Sequence, residues 1–200
     1  MVTRESTPSR PTSTPSDPRK SASRAAAVDE ILDRLCATVE DYPKPGITFK
    51  DLTPVFADPE GFNTIVRALT EPFAGQFDLV AGVEARGFLL AAAAAFATGT
   101  GVITVRKKGK LPRRTISEDY ALEYGTATLE VHEEDIPRGT RVLLLDDVLA
   151  TGGTLSAATR LMERTGAHVA GIGVVLELTG LHGRAALGGH RVRSLQRIET

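Results

Sequence analysis

Residues 142–154 read VLLLDDVLATGGT, and this stretch constrains the fold more than any other part of the chain. Four apolar residues, enough for a buried strand, precede two adjacent carboxylates, Asp146 and Asp147, and a turn of small residues. From Leu155 onward, apolar residues recur at helical spacing. We therefore predict a strand that ends at the acid pair and a helix that begins after the turn. Open α/β sheets bind their ligands at such junctions.

The turn after the acid pair has the chemistry of a phosphate site. Glycines let backbone amides approach an anion, threonines add hydroxyl donors, and a helix N-terminus presents unpaired N–H groups. Asp146 and Asp147 would repel a bare phosphate but accept hydrogen bonds from a sugar diol or a hydrated cation. The pattern predicts a sugar-phosphate site, with the phosphate in the loop formed by Ala150, Thr151, Gly152, Gly153 and Thr154. An ordinary strand–loop–helix connection is the alternative, which we would favour for the glycine turn alone.

This segment resembles the phosphoribosyl pyrophosphate (PRPP) motif of type I phosphoribosyltransferases, and DDVLATGGT is similar to its form in the adenine-specific members. Three further segments match the family in the expected order: DYPKPGITFKDLTP (41–54), VEARGF (83–88) and VRKKGKLP…LEYG (105–125). The match extends over roughly residues 28–180, and four ordered motifs are far more specific than one.

The resemblance implies a transferase that makes AMP and pyrophosphate from adenine and PRPP, with Mg²⁺ bound through PRPP and pyrophosphate rather than by a protein cage. It implies that Asp146 and Asp147 hold the ribose hydroxyls and that the 150–154 loop holds the 5-phosphate. The expected catalytic residues are Glu123, Asp146, Asp147 and Arg86. The expected pyrophosphate-binding residues are Arg86, Arg106, Lys107 and Lys110.

The resemblance also assigns residues to the base. Glu123 would face the purine N7 as a general acid or hydrogen-bond partner, and Tyr124 would help to organise a closed loop. The expected adenine-binding residues are Thr48, Phe49 and Lys50, with Leu149 on the other face of the ring. Relatives in this family are homodimers with the neighbourhood of Arg86 near the interface, so the resemblance implies a homodimer.

Strand patterns alternate with helix patterns, which predicts an α/β fold with a mainly parallel twisted sheet flanked by helices. The resemblance adds a small hood region and a flexible catalytic loop. Residues 1–24 are rich in Ser, Pro and Arg and predict a disordered tail, leaving 25–200 as the catalytic domain. Residues 107–125 are polar with little periodicity and predict a long loop that acts as a lid.

Several elements have local signals. Apolar periodicity predicts a helix from Val28, and Asp58 with Pro59 predicts the start of a second helix. An alanine-rich helix should stop at Gly99. Strands are predicted at 78–83, 101–105, 168–178 and 192–198, with a short helix or turn at 180–189.

Composition argues against several classes of protein and of site. A net charge of −1 gives no support for a nucleic-acid or membrane surface, and the longest apolar run, 88–97, is too short to cross a bilayer. The single cysteine, Cys36, forbids an intrachain disulfide and is compatible with the cytoplasmic location that we expect. The four histidines are dispersed without partners at ligand spacing, so no protein metal cage is predicted.

Two alternatives stay open. Another type I transferase, acting on hypoxanthine, guanine or xanthine, would share most of these motifs. A regulator that binds PRPP without catalysis would keep the phosphate site but usually adds a nucleic-acid-binding element, for which the chain gives no pattern. An enzyme that makes PRPP fits less well, because the ATP-phosphate loop G-x-x-x-x-G-K-[ST] is missing from the sequence.

Overall fold

A computed structural model describes residues 18–121 and 125–199. Its helices and strands run, in chain order, α1 (Pro18–Leu35), β1 (Ala37–Val39), β2 (Phe49–Asp51), α2 (Thr53–Ala57), α3 (Pro59–Thr70), β3 (Leu79–Val83), α4 (Arg86–Thr98), β4 (Gly101–Lys107), β5 (Thr115–Ala121), β6 (Thr126–His132), β7 (Arg141–Leu149), α5 (Gly153–Arg164), β8 (His168–Leu178) and β9 (Val192–Ile198).

The main sheet has seven strands in the order β5-β6-β4-β3-β7-β8-β9. The five strands from β4 to β9 are parallel, whereas β6 runs antiparallel to both β4 and β5. This confirms the predicted α/β fold with a mainly parallel sheet. From β3 the chain continues to β4 on one side, while β7 lies on the other. The connections therefore change direction between β3 and β7, which opens a crevice at the carboxyl ends of these strands.

Two hydrophobic clusters cover the two faces of the sheet. On β7, Leu143 and Leu145 pack towards α1, α3 and α4, whereas Val142 and Leu144 pack towards α5. All four side chains are fully buried, and each contributes about 2 kcal/mol relative to an exposed position. A strand buried on both faces reads as a continuous apolar run, which is why residues 142–145 signal the sheet so clearly.

Local signals placed several boundaries correctly. The Asp58 carboxylate accepts a hydrogen bond from the Gly61 N–H at 2.7 Å and caps α3, as predicted. Helix α4 ends at Gly99, which has a φ of 66°. The predicted strands at 168–178 and 192–198 have the bounds of β8 and β9.

The prediction of a long loop over 107–125 is wrong for most of its second half. Thr115–Ala121 forms β5, which pairs with β6 over seven residues. The strand is at the sheet edge, and its side chains are mostly polar and partly exposed, so it lacks the apolar alternation of a half-buried strand. Residues 122–124 lie outside the described residues.

The predicted end of the central strand also needs correction. Strand β7 continues through Asp146 and Asp147 to Leu149, because β8 still pairs with it there. On the other side, pairing with β3 stops at Leu145. The acid pair therefore lies within the strand, but where the strand has lost one neighbour.

Helix α1 begins at Pro18, inside the segment predicted as a disordered tail. Residues 1–17 lie outside the described residues, so the tail stays a prediction for them. No helix in the described part of the chain is long and apolar enough to cross a membrane.

Candidate active site

A cavity of about 370 Å³ lies at the carboxyl ends of β3, β4 and β7. It is lined by Glu84, Ala85, Arg86, Lys107, Tyr120, Leu129, Asp146, Asp147 and Thr154. Five of these nine were predicted site residues, so the fold brings together the acid pair, two cations and the end of the small-residue loop. A cavity with acids beside cations suits a ligand that has both hydroxyl and anionic groups.

Asp146 and Asp147 are both buried, at 8% exposure each. Burial and the neighbouring Asp147 carboxylate raise the pKa of Asp146 well above its ordinary value, although the Asp147 N–H and the Arg86 charge oppose this shift. Gly87 packs so closely that a Cβ there would lie 3.1 Å from the Asp146 carboxylate and 2.8 Å from the Leu145 carbonyl oxygen. Helix α4 can therefore sit against the acid pair only because residue 87 is glycine.

The predicted phosphate loop connects β7 to α5. Gly152 has a φ of 80°, a left-handed conformation that favours glycine, and α5 begins at Gly153. Helix α5 has no side-chain cap at its N-terminus, in contrast to α3, which Asp58 caps. A twelve-residue helix thus presents its uncapped positive end next to the cavity that Thr154 lines, an arrangement that suits an anion.

Arg86 is the first residue of α4 and forms an ion pair with Asp147. The Arg86 guanidinium carbon lies 5.4 Å from the centre of the Phe49 ring. One arginine therefore touches the acid pair and the aromatic residue of the segment predicted to bind the base. Lys107, at the end of β4, also lines the cavity, and Glu84 fixes its backbone by accepting the Lys107 N–H at 2.9 Å.

The other two predicted pyrophosphate residues do not line the cavity. The Arg106 Nη1 donates to the Lys110 carbonyl oxygen at 3.1 Å, and its guanidinium lies 5.9 Å from the centre of the Phe88 ring. The backbone N–H of Lys110 donates to Glu130 at 2.9 Å. Burial opposes ionisation of Glu130, but backbone N–H groups of residues 109–111 outweigh it, and its pKa lies below the ordinary value. Arg106 and Glu130 thus stabilise the turn that follows β4, residues 108–111, which we call the basic turn.

The predicted base-binding residues occupy different surroundings. Phe49 is half-buried and packs edge-on against Tyr42, with ring centres 5.3 Å apart. The Thr48 hydroxyl donates to Glu40 at 2.6 Å, and the Lys50 ammonium donates to Thr38 at 2.7 Å across the β1–β2 pair. Neither polar group lines the cavity, and Phe49 is connected to it only through its contact with Arg86.

The structure does not support the expectation that Leu149 packs on a base. Leu149 is fully buried in the α5-side cluster that contains Leu155. Its neighbour Val148 is partly buried and packs against the opposite cluster, which includes Leu52 and thus borders the Phe49 hairpin. Val148, rather than Leu149, therefore lies on the side of the sheet that borders the Phe49 hairpin.

Glu123 and Tyr124 lie outside the described residues, so their predicted roles stay predictions. Sequence reasoning missed four residues that line the cavity: Glu84, Ala85, Tyr120 and Leu129. Tyr120 and Leu129 lie on β5 and β6, and the hairpin that brings them to the site was itself missed. Glu84 and Ala85 could have been found, because they directly precede Arg86 in a predicted turn.

The chain matches the family model of the phosphoribosyl transferase domain over residues 61–195. It is 73% identical over 175 residues to an adenine phosphoribosyltransferase from Arthrobacter sp. (strain FB24), covering 88% of this chain and 95% of that protein. Over 174 residues it is 53% identical to an adenine phosphoribosyltransferase from Mycobacterium marinum, covering 86% and 94%.

The fold of this chain is also similar to solved structures. The crystal structure of adenine phosphoribosyltransferase from Rhodothermus marinus has a TM-score of 0.82 and 47% identity, covering 86% of this chain and 99% of that one. The Saccharomyces cerevisiae enzyme, solved with an imino-altritol bisphosphate and adenine, has a TM-score of 0.80 and 36% identity, covering 88% and 99%.

Proposed function

This chain belongs to the adenine phosphoribosyltransferase family, and we propose from that membership and its site geometry that it converts adenine and PRPP into AMP and pyrophosphate in purine salvage. The observation that carries the proposal is the meeting of a buried acid pair, Arg86 and an uncapped helix N-terminus at one cavity. An acceptor for sugar hydroxyls, a cation for a leaving group and a phosphate cradle are what PRPP requires.

The reaction forms a bond between the N9 of adenine and C1 of the ribose. The bond from C1 to the pyrophosphate oxygen breaks, its electron pair leaves with pyrophosphate, and the base releases a proton. Positive charge develops on the ribose ring in between. Asp146 and Asp147 would hold the ribose hydroxyls and stabilise that charge, since both carboxylates line the cavity.

The anionic ends of PRPP would be bound at different places. The 5-phosphate would sit in the 150–154 loop at the N-terminus of α5. Arg86 and Lys107 would contact pyrophosphate, while Arg106 and Lys110 would support the basic turn or reach the ligand after a rearrangement. Arg86 pairs with Asp147, so the two side chains would have to separate for each to bind its own part of PRPP.

For the base, we propose that Phe49 packs on one face of adenine and that Val148, in place of Leu149, packs on the other. The support is that Val148 is partly buried on the side of the sheet that borders the Phe49 hairpin. Backbone groups at Thr48 and Lys50 would read the purine edge. Glu123 would contact N7 and Tyr124 would support the closed loop, both on the strength of the LEYG resemblance.

We also propose that Mg²⁺ accompanies PRPP and pyrophosphate. The described residues contain no cluster of three or more His, Cys, Asp or Glu that could hold a metal ion. The oxygen donors available at the cavity fit an ion that keeps water and phosphate ligands and takes one or two carboxylates, which would be Asp146 or Asp147. When bound, Mg²⁺ would neutralise charge on the leaving pyrophosphate.

A homodimer is proposed from the surface of α4. Leu89, Ala92 and Phe96 share one exposed face of this helix, and Phe96 is 92% exposed. Val102 adds a further exposed apolar side chain at the start of β4. An apolar helix face one turn from Arg86 fits an interface with a second copy of the chain.

We also propose a cytoplasmic location, supported by the free thiol of the only cysteine, Cys36.

A base panel tests the function. The full-length protein is incubated with PRPP, with and without Mg²⁺, and with adenine, hypoxanthine, guanine or xanthine. We expect AMP from adenine, dependent on Mg²⁺, and little product from the other bases. Activity on hypoxanthine but none on adenine would replace the proposal with the other type I transferase. Tight PRPP binding with no turnover of any base would support the regulator.

A further inference from the structure

The segment after β8 makes backbone contact with the phosphate loop. Residues 179–187 form two short 3-10 helices, Thr179–Leu181 and Gly183–Leu187. A Cβ at Gly183 would collide with the Ala150 carbonyl oxygen and would lie 2.8 Å from the Gly152 nitrogen. A Cβ at Gly152 would collide in turn with the Gly183 carbonyl oxygen. Since no side chain separates the two backbones, the position of Gly183 sets the shape of the loop.

Arg184 fixes this segment to the sheet. Its guanidinium donates to both carboxylate oxygens of Glu177, at 2.9 Å from Nε and 2.5 Å from Nη2. It also donates to the Val192 carbonyl oxygen and to the Ser194 hydroxyl of β9, both at 3.1 Å. A bidentate arginine–carboxylate pair fixes orientation as well as distance.

Glu177 is well placed to serve as the anchor. It is 3% exposed and accepts a further hydrogen bond from the Ser194 hydroxyl at 2.6 Å. The hydrogen bond from Arg184 lowers the pKa of Glu177 to about 2, so it is charged at neutral pH. On β8 it lies in register with Leu149, the last residue before the phosphate loop. The pairing of β7 with β8 therefore holds the start of the loop at Leu149. At Gly152 the loop contacts Gly183, whose neighbour Arg184 is bonded to Glu177 on β8.

We propose that Arg184 is a positioning residue for the 5-phosphate subsite, holding Gly183 against Gly152 through its ion pair with Glu177. The inference rests on the proposed function of the 150–154 loop. Arg184 does not line the cavity. Its contribution is to hold the backbone amides of the loop in the geometry that a phosphate needs.

The test compares Arg184→Gln with Arg197→Gln. Arg197 also approaches Glu177, with its Nε 3.6 Å from Oε2, but it lies on β9 with a side chain that is 65% exposed. Both variants remove one positive charge beside the same carboxylate. Only Arg184→Gln releases the segment that contacts the loop. The dissociation constants of AMP and adenosine, which differ by the phosphate alone, are measured by calorimetry, and the PRPP KM by steady-state kinetics.

We expect Arg184→Gln to weaken AMP binding and raise the PRPP KM about 10-fold, a loss of about 1.4 kcal/mol, while adenosine binding changes less than about 2-fold. Arg184→Lys should recover part of the loss, since it restores charge without the planar fork. Arg197→Gln should behave like the wild type. Equal losses for AMP and adenosine, unchanged AMP binding, or the same effect from Arg197→Gln would overturn the proposal.

Gly183→Ala covers the case in which Arg184→Gln fails to fold. This variant keeps the ion pair but places a methyl group against the loop backbone, so it should lose AMP affinity selectively as well. Normal AMP binding by Gly183→Ala would count against the proposal. Turnover of adenine and PRPP by the wild type is measured first, because its absence would refute the proposed function. If the wild type is active but Arg184→Gln binds AMP normally, only this inference is refuted.

Discussion

Asp146 is a carboxylate that the fold buries beside a second carboxylate. Its raised pKa means that folding disfavours the ionised form, so the Asp146 charge costs stability at neutral pH. Asp146→Asn should therefore raise Tm by about 2–4 °C, as about 1 kcal/mol does in a chain of this size. The same change should lower kcat about 100-fold or more, since it removes a charge that stabilises the transition state. Thermal unfolding and AMP formation measure the two effects.

Asp147→Asn provides the contrast. Asp147 forms an ion pair with Arg86, so its replacement should lower Tm in the ligand-free protein, while also reducing kcat. The advantage of Asp146→Asn over the wild type should shrink as pH falls and Asp146 becomes protonated. A lower Tm for Asp146→Asn at neutral pH would show that the buried charge is compensated better than its surroundings indicate.

Glu177 should make the free energy of unfolding depend on pH in the acidic range. Its folded pKa, about 2, lies below the ordinary value of 4.5, so its stabilising effect is present above about pH 4.5 and is lost as pH falls through 2. Arg184, Ser194 and Arg197 are the groups that face it. Compared with Glu177→Gln, the wild type should lose at most about 3 kcal/mol of unfolding free energy between pH 5 and pH 2. Urea unfolding across this range measures the difference, and a constant difference would refute the assignment.

At the level of elements, β5 is fastened to α5 by one carboxylate. Glu118 accepts hydrogen bonds from Arg160 at 2.7 Å and from Arg164 at 2.8 Å, and these bonds lower its pKa. The same strand carries Tyr120 into the cavity. This ion pair network therefore fixes the approach of the hairpin to the site.

Glu118→Gln should release β5 from α5 and lower kcat several-fold. Partly exposed ion pairs contribute about 1 kcal/mol or less, so Tm should fall by only a few degrees. Hydrogen exchange of the amides in 115–121 should become faster, while exchange in β8 should not change. Unchanged exchange in β5 would mean that β6 pairing alone holds the strand.

Some elements could be predicted because their signals are local. The Asp58–Pro59 start of α3 and the apolar run of β7 depend on neighbouring residues only. The β5–β6 hairpin could not be predicted, because its stability comes from pairing with β4 and packing on α5 rather than from its own apolar pattern. The packing of Val148 and Leu149 on opposite sides of the sheet could not be predicted for a related reason, since the face of a strand end depends on where pairing stops. Arg184 gave no local signal because its partners, Glu177 on β8 and Val192 and Ser194 on β9, come together only when these strands pair.

At the scale of the whole molecule, the site draws on three adjacent parallel strands. Strand β3 leads to Arg86, β4 ends at Lys107, and β7 supplies the acid pair and the phosphate loop. Arg86 also begins α4, whose opposite end exposes Phe96. A single helix therefore links the pyrophosphate end of the proposed site to the proposed dimer surface, so loss of the dimer should affect catalysis as well as assembly.

Phe96→Glu tests this link. Phe96 is 92% exposed, so a glutamate there should not disturb the core of the subunit, but it would place a charge in an apolar interface. We expect a monomer by light scattering after size exclusion, with a far-UV spectrum like that of the wild type. The PRPP KM should rise, because α4 no longer has a partner that steadies Arg86 at its N-terminus. Arg67→Glu, on α3, is the control for an added surface charge. If Phe96→Glu elutes with the wild type, or if the wild type is itself a monomer, the α4 face is not the interface.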